Sequence, residues 1–256
     1  MNTRDELRRA FETLKNKGEV AISEKWQATT PPDALFEIIN YSFKITKMPE
    51  SSDELKRETK CDYPWSENHF QERIAGEPTN PGYEYLNWPY YTPEKHNGVF
   101  RAEGENYFSH TYQERFWPDK TLIGTGKMGY HLGDFNDLIT RIKNDPGGRQ
   151  AFYAIWHPQD SAENGVRLPC TIGYHFLIRN GKLNMSYLIR SCDIRRHFRN
   201  DMYMSIRLGQ YVRDQVKEKV DPNLKMGEFF CWLGSLHCWN GEKAMLDADI
   251  AKFDSF

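Results

Sequence analysis

A chain of 256 residues with 39% hydrophobic and 14% aromatic side chains can bury a sizeable core. Its formal charge of -2 argues against a protein whose main partner is polymeric nucleic acid, since phosphate neutralisation calls for a basic excess. The five cysteines form no C-x-x-C pair, which argues against a zinc site or a disulfide framework and points to a reducing cytoplasm. No stretch approaches the roughly 20 apolar residues that a membrane helix needs.

MNTRDELRRAFETLK reads as an amphipathic helix without the apolar core of a signal peptide. A polar turn with Pro31 and Pro32 precedes ALFEIINYSFKI, whose apolar alternation predicts a strand. Residues 48–60 are charged and read as surface. From Trp65 to Trp117 the chain is rich in Pro, Gly, Asn and aromatics, the mark of long ordered loops around a short helix. GDFNDLITRIKNDPGG has helical apolar spacing with a proline–glycine stop, and RQAFYAIWHP reads as a strand. In CTIGYHFLIRNGKLNMSYLIRSC two β-rich runs flank Asn180-Gly181, the strongest short hairpin signal. With those two residues as the turn, Cys170 falls opposite Ser191 and next to Arg190. DMYMSIRLGQYVRDQVKEKV is predicted as a long helix and EFFCWLGSLHCW as a buried strand. Strands and helices mix without βαβ regularity, so the class is α+β, in a single domain over 1–256.

The densest charge lies in RSCDIRRHFRND, residues 190–201. In a slightly acidic chain such a cluster suits one or two phosphates better than a polymer. The hairpin sets its first arginine beside a thiol, and a neighbouring cation favours thiolate over thiol. Cys170 is therefore a candidate nucleophile; the plain alternative is a packed, inert cysteine.

LPC followed twenty residues later by RSCD resembles the thymidylate synthase family, in which a Pro-Cys nucleophile precedes an Arg-Ser-x-Asp motif. DPGGRQAFYAIW is similar to that family's D-P-x-S-R-R strand, GSLHCW to its x-x-H-x-Y strand, and HTYQERFW to its Y-G-x-Q-W-R segment. The resemblance is clear over about residues 140–240 and loose before 100. It implies a thymidylate-synthase-like fold, a large mixed sheet flanked by helices, and a homodimer formed through a sheet face. It also implies covalent addition of Cys170 to C6 of a pyrimidine nucleoside monophosphate, with 5,10-methylenetetrahydrofolate as one-carbon cosubstrate. Arg190 and Ser191 would hold the 5′-phosphate, and Arg149 would reach the partner subunit's phosphate site. Gln150 stands where a second arginine is usual. Lys25 is a candidate for the N-terminal phosphate loop, or else a solvated lysine. Asp193 matches the aspartate near the folate pterin, Tyr112 the tyrosine that orders water, and His237 the histidine near the sugar. Trp239 replaces a sugar-binding tyrosine, His175 a glutamine beside the base, and His197 a glycine. The glutamate that relays protons through water would be Glu67, which has an aromatic three positions on, or Glu72; for either, the alternative is a surface carboxylate paired with Arg73.

Eleven residues past Arg190, thymidylate synthases carry an asparagine that reads uracil. Asp201 stands there instead. A carboxylate accepts from the cytosine amino group and, when protonated, donates to N3. FRND is similar to the phage dCMP hydroxymethylases of the same family. The competing role for Asp201 is to cap a helix starting at Met202. Seventeen residues, 240–256, follow Trp239, fewer than in thymidylate synthases, and a less closed site would admit water. The expected activity is thus 5-hydroxymethylation of dCMP or CMP in the cytoplasm. The alternatives are thymidylate-synthase-type C5-methylation and, from another class, a nucleic-acid-binding module built on RRHFR.

Overall fold

The computed structural model describes residues 2–23, 33–90, 108–118, 122–123, 130–131, 133–162 and 168–254. Lys25 lies outside them.

Helix α1 (Thr3–Lys17) starts where the Asn2 side chain accepts from the Asp5 N–H, satisfying one orphan donor of the first turn. It buries Leu7, Ala10, Phe11 and Leu14, an i, i+3, i+4, i+7 stripe. The chain then enters β1 (Glu19–Ser23) and the long β2 (Asp33–Ile45). Residues read as charged surface contain α2 (Ser52–Thr59), whose Leu55 and Thr59 are buried. The aromatic-rich region contributes α3 (Trp65–Arg73), α4 (Tyr83–Leu86) and α5 (Tyr112–Phe116). A two-residue ladder, β3 (Leu122–Ile123) with β4 (Tyr130–His131), precedes α6 (Phe135–Asn144). Strand β5 is shorter than its sequence suggests, Phe152–Ala154.

The hairpin of β6 (Thr171–Arg179) and β7 (Lys182–Asp193) turns at Asn180 and Gly181, with φ of 52° and 66° as a type I′ turn requires. From Arg179↔Lys182 to Gly173↔Leu188 the register is the expected one. A bulge between Thr171 and Gly173 then inserts one residue, so Thr171 pairs with Ile189. Gly173 sits at the bulge where β5 comes closest; a Cβ there would lie 2.6 Å from the Tyr153 carbonyl oxygen. A turn of π-helix (Ile194–Phe198) leads into α7 (Arg199–Val220), followed by β8 (Lys225–Trp239) and α8 (Leu246–Ala251).

The sheet order is β1-β2-β8-β7-β6-β5, with β7 and β8 parallel and the other pairs antiparallel. The large mixed sheet and α+β class agree with the sequence expectation. Leu183, Met185, Tyr187 and Ile189 of β7, with Phe229, Cys231 and Leu233 of β8, join the side chains of α1, α6 and α7 in one core. Burying each such side chain contributes about 1.5–3 kcal/mol. The opposite sheet face leaves Ile39, Phe152 and Phe230 exposed, at 68%, 43% and 39%.

Candidate active site

Cys170 immediately precedes β6 and is half-buried, with a free thiol. The bulge corrects its predicted neighbour: it faces Arg190 rather than Ser191, and the Arg190 N–H donates to the Cys170 carbonyl at 2.8 Å. The Arg190 guanidinium folds back over the same segment, Nε donating to the Pro169 carbonyl at 2.9 Å and Nη2 to that of Leu168 at 3.0 Å. One residue thus holds the approach to the thiol through backbone and side chain together.

Thr171 ties this end of the sheet to α5. Its N–H and Oγ1 lie 3.3 and 3.2 Å from the Tyr112 hydroxyl, and Oγ1 is 2.9 Å from the Tyr187 hydroxyl. Burial raises the Tyr112 phenol above its ordinary value, and Cys170 and Asp201 push it the same way. Tyr112 is thereby a neutral hydrogen-bonding group at neutral pH. Asp201 is in the first turn of α7, with its Oδ2 3.8 Å from the Cys192 sulfur. The competing reading of it as a cap does not hold: the π turn runs unbroken into a helix that already starts at Arg199.

The cap is Asp193. Its Oδ1 accepts from the N–H groups of Arg195 and Arg196, and its Oδ2 accepts from Arg196 Nη1 at 2.8 Å. Arg196 also grips Glu242, and Arg195 reaches Glu242 at 3.3 Å and Asp249 at 2.7 Å. The arginines suspected of binding a polymer are therefore spent on carboxylates of the C-terminal segment. Asp193 lies beside His237 on the neighbouring strand. His237 is buried and kept neutral by that burial, with Nδ1 3.1 Å from the Ser235 hydroxyl, which donates to Glu37 at 2.6 Å. Trp239 ends the same strand, half-buried.

Other predicted residues lie apart from this cluster within one protomer. Arg149 is exposed beside the hairpin turn, near Arg179 and Asn180. At about 3.4 Å per residue, the length of β6 separates that turn from Cys170 by ~30 Å. His175 is midway along β6, its Nε2 3.0 Å from the Arg149 carbonyl oxygen. Glu67 accepts from the Tyr203 hydroxyl at 2.6 Å and Arg207 Nε at 3.2 Å, facing α7. Glu72 accepts from the Tyr83 N–H at 2.6 Å and Gln113 Nε2 at 2.8 Å. Neither pairs with Arg73, whose guanidinium stacks over the Tyr112 ring at 4.3 Å.

Behind Tyr112 lies a cavity of about 80 Å³ that the sequence reading missed. Trp65, His69 and Arg73 line one wall, an i, i+4, i+8 stripe of α3 that helical spacing alone could have revealed. His69 stacks on Trp65 (5.1 Å, 16°), and His197 of the π turn stacks on Trp88 (4.7 Å, 16°). Flat walls of this kind suit a planar heteroaromatic ring. Among the described residues no group of His, Cys, Asp and Glu could hold a metal ion, and no helix is long and apolar enough to cross a membrane.

The family profile for thymidylate synthase matches residues 88–252. A thymidylate synthase from Listeria monocytogenes is 28% identical over 125 residues, which is 49% of this chain and 38% of that protein. One from Staphylococcus haemolyticus is 23% identical over 140 residues, 55% of this chain and 40% of that protein. The bifunctional dihydrofolate reductase-thymidylate synthase of Paramecium tetraurelia is 26% identical over 116 residues, 45% of this chain and 24% of that protein. The matched stretch thus spans less than half the length of each of these relatives. The solved thermostable thymidylate synthase A from Bacillus subtilis superposes with a TM-score of 0.68 at 14% identity, covering 98% of this chain and 84% of that one. At that identity it shows the shared fold.

Proposed function

Because the chain belongs to the thymidylate synthase family, we propose that it is a folate-dependent enzyme modifying C5 of a pyrimidine nucleoside monophosphate, with a cytidylate, dCMP or CMP, as substrate and the 5-hydroxymethyl nucleotide as product. The observation that carries this reading is the placement of Cys170 against Arg190, with Asp201 and Tyr112 close by. Cys170 adds to C6, and Arg190 and Ser191 take the 5′-phosphate. Asp201 is an acceptor for a cytosine amino group where an amide would read uracil. Tyr112 orders water, and His237 and Trp239 bound the sugar. The aromatic walls behind Tyr112 suit one face of the flat pterin of 5,10-methylenetetrahydrofolate, which supplies the one-carbon unit. Asp193 holds the turn that presents His197 to it.

The exposed Ile39, Phe152 and Phe230 support a homodimer through this sheet face, in which Arg149, remote from Cys170 in its own protomer, serves the partner's site. The test is incubation with methylenetetrahydrofolate and each of dCMP, CMP, dUMP and UMP, followed by mass analysis. A gain of CH2O on a cytidylate supports the reading; no modified nucleotide overturns it. A gain of CH2 would favour C5-methylation, the second reading, which the names of the relatives support.

A further inference from the structure

We propose that His69, oriented by Glu72, is the residue of α3 that moves protons through water for the pyrimidine bound at Cys170. The inference rests on the functional reading above and adds a residue to it. Helix α3 offers the cavity one face, and neither glutamate is on the wall it forms: the lining side chains are Trp65, His69 and Arg73. Glu67 is engaged by Tyr203 and Arg207 on the flank toward α7. Glu72 stands behind the wall, its Oε2 3.5 Å from His69 Nδ1.

That carboxylate is itself held still, by the Tyr83 N–H and by Gln113. Nδ1 makes no hydrogen bond, and the Glu72 carboxylate 3.5 Å away acts on it by charge, favouring the proton on Nδ1 and leaving the Nε2 lone pair free to accept. Stacking on Trp65 fixes the ring plane. Burial, with Arg73 adding to it, lowers His69 to about 4 despite the opposing pull of Glu72, so the ring is neutral at pH 7 and can both accept and return a proton. Besides His69 and Arg73, the titratable groups facing the cavity are Tyr85 of α4, Tyr112 and His110 from the α5 side, and His197 from the π turn. Tyr112 links this cavity to the thiol end, because its hydroxyl meets the N–H of Thr171, the residue after Cys170.

The step balances without the folate. The Cys170 thiolate forms the S–C6 bond, and the C5=C6 electron pair takes a proton at C5 from a water that the imidazolium Nε2–H of His69 reprotonates, leaving the ring neutral. In reverse, the C5–H bond breaks, its pair restores C5=C6, the thiolate leaves, and the proton passes through water to Nε2. In D2O this exchanges the C5 hydrogen for deuterium.

The experiment measures C5 deuterium exchange with nucleotide alone, and product formation with methylenetetrahydrofolate, for wild type, His69→Gln and Glu72→Gln. General acid–base groups contribute about 10²–10⁴-fold. His69→Gln should therefore lose ~100-fold or more in whichever assay wild type is active, with nucleotide affinity changed only a few-fold. Removing Glu72 removes a group that raises the His69 pKa, so in Glu72→Gln the acidic limb of the rate profile should move to lower pH. A role of Glu72 confined to structure would lower thermal stability and leave that limb in place. An active wild type whose His69→Gln variant keeps its rate, or an unmoved limb in Glu72→Gln, overturns the inference alone. A wild type that neither exchanges nor modifies any pyrimidine nucleotide overturns the functional reading and this inference with it.

Discussion

Arg190 and Cys170 face each other across a β-bulge, joined by a 2.8 Å backbone hydrogen bond, while the Arg190 side chain bonds the carbonyls of Leu168 and Pro169. A lysine at 190 keeps the charge but cannot reproduce this fork. Hydrogen bonds from charged groups contribute about 1.5–3 kcal/mol each. Arg190→Lys should lower stability by ~2 kcal/mol in a denaturant titration and raise the nucleotide KM. Cys170→Ala should keep the fold, since a half-buried thiol is small, and lose turnover by ~10³-fold or more. An active Cys170→Ala would remove the nucleophile assignment.

Asp201 tests the choice of base. Replacing it with asparagine restores an amide that donates and accepts, so Asp201→Asn should shift kcat/KM toward uridylates by ~10-fold or more. Competition assays with paired substrates read this ratio directly. An unchanged ratio would place base recognition elsewhere.

The C-terminal segment is clamped by Arg195 and Arg196 through Glu242 and Asp249. Removing the pair in Arg196→Ala should cost about 1–2 kcal/mol, with a non-additive double-mutant cycle against Glu242→Ala. Burial by itself raises the Asp249 carboxyl, but hydrogen bonds from Lys252 and Arg195 outweigh it and hold the group below its ordinary 3.8. Its stabilisation is fully present above that value and is lost as pH falls through the lower folded value. Limited proteolysis of α8 should therefore accelerate only in that acidic window. Acceleration beginning near neutral pH would contradict the clamp.

The open sheet face makes a quaternary prediction. Phe230→Arg sets a second cation beside Lys44, its cross-strand neighbour on the exposed face, and should turn a dimer into a monomer in sedimentation. If Arg149 serves the partner's phosphate site, mixing inactive Cys170→Ala with inactive Arg149→Ala should restore turnover, because one site of the heterodimer is complete. A monomeric, fully active wild type would refute both expectations.

Local chemistry made much of this protein legible from its sequence. Asn180-Gly181 can hardly do other than turn a hairpin, because both positions need positive φ, and the alternation of β6 and β7 follows from period-two burial. The stripe of α1 and the long α7 follow from helical spacing in the same way. These signals act between residues close in the chain, where propensity and patterning operate. Thiol and guanidinium at one end of a hairpin were legible for that reason.

Which residue faces the thiol was not, because the bulge at Thr171 arises where β5 packs against Gly173, a contact between distant segments. The C-terminal partners of Arg195 and Arg196, Asp249 and Glu242, lie 54 and 46 positions away, and no local rule selects them from among 36 acidic residues. The same holds for α3: its sequence offered two glutamates, but only packing against α7 and α5 decided that Glu67 turns to Arg207 and His69 to the cavity. Chain neighbours determined the elements, and burial of one element against another decided which side chains meet.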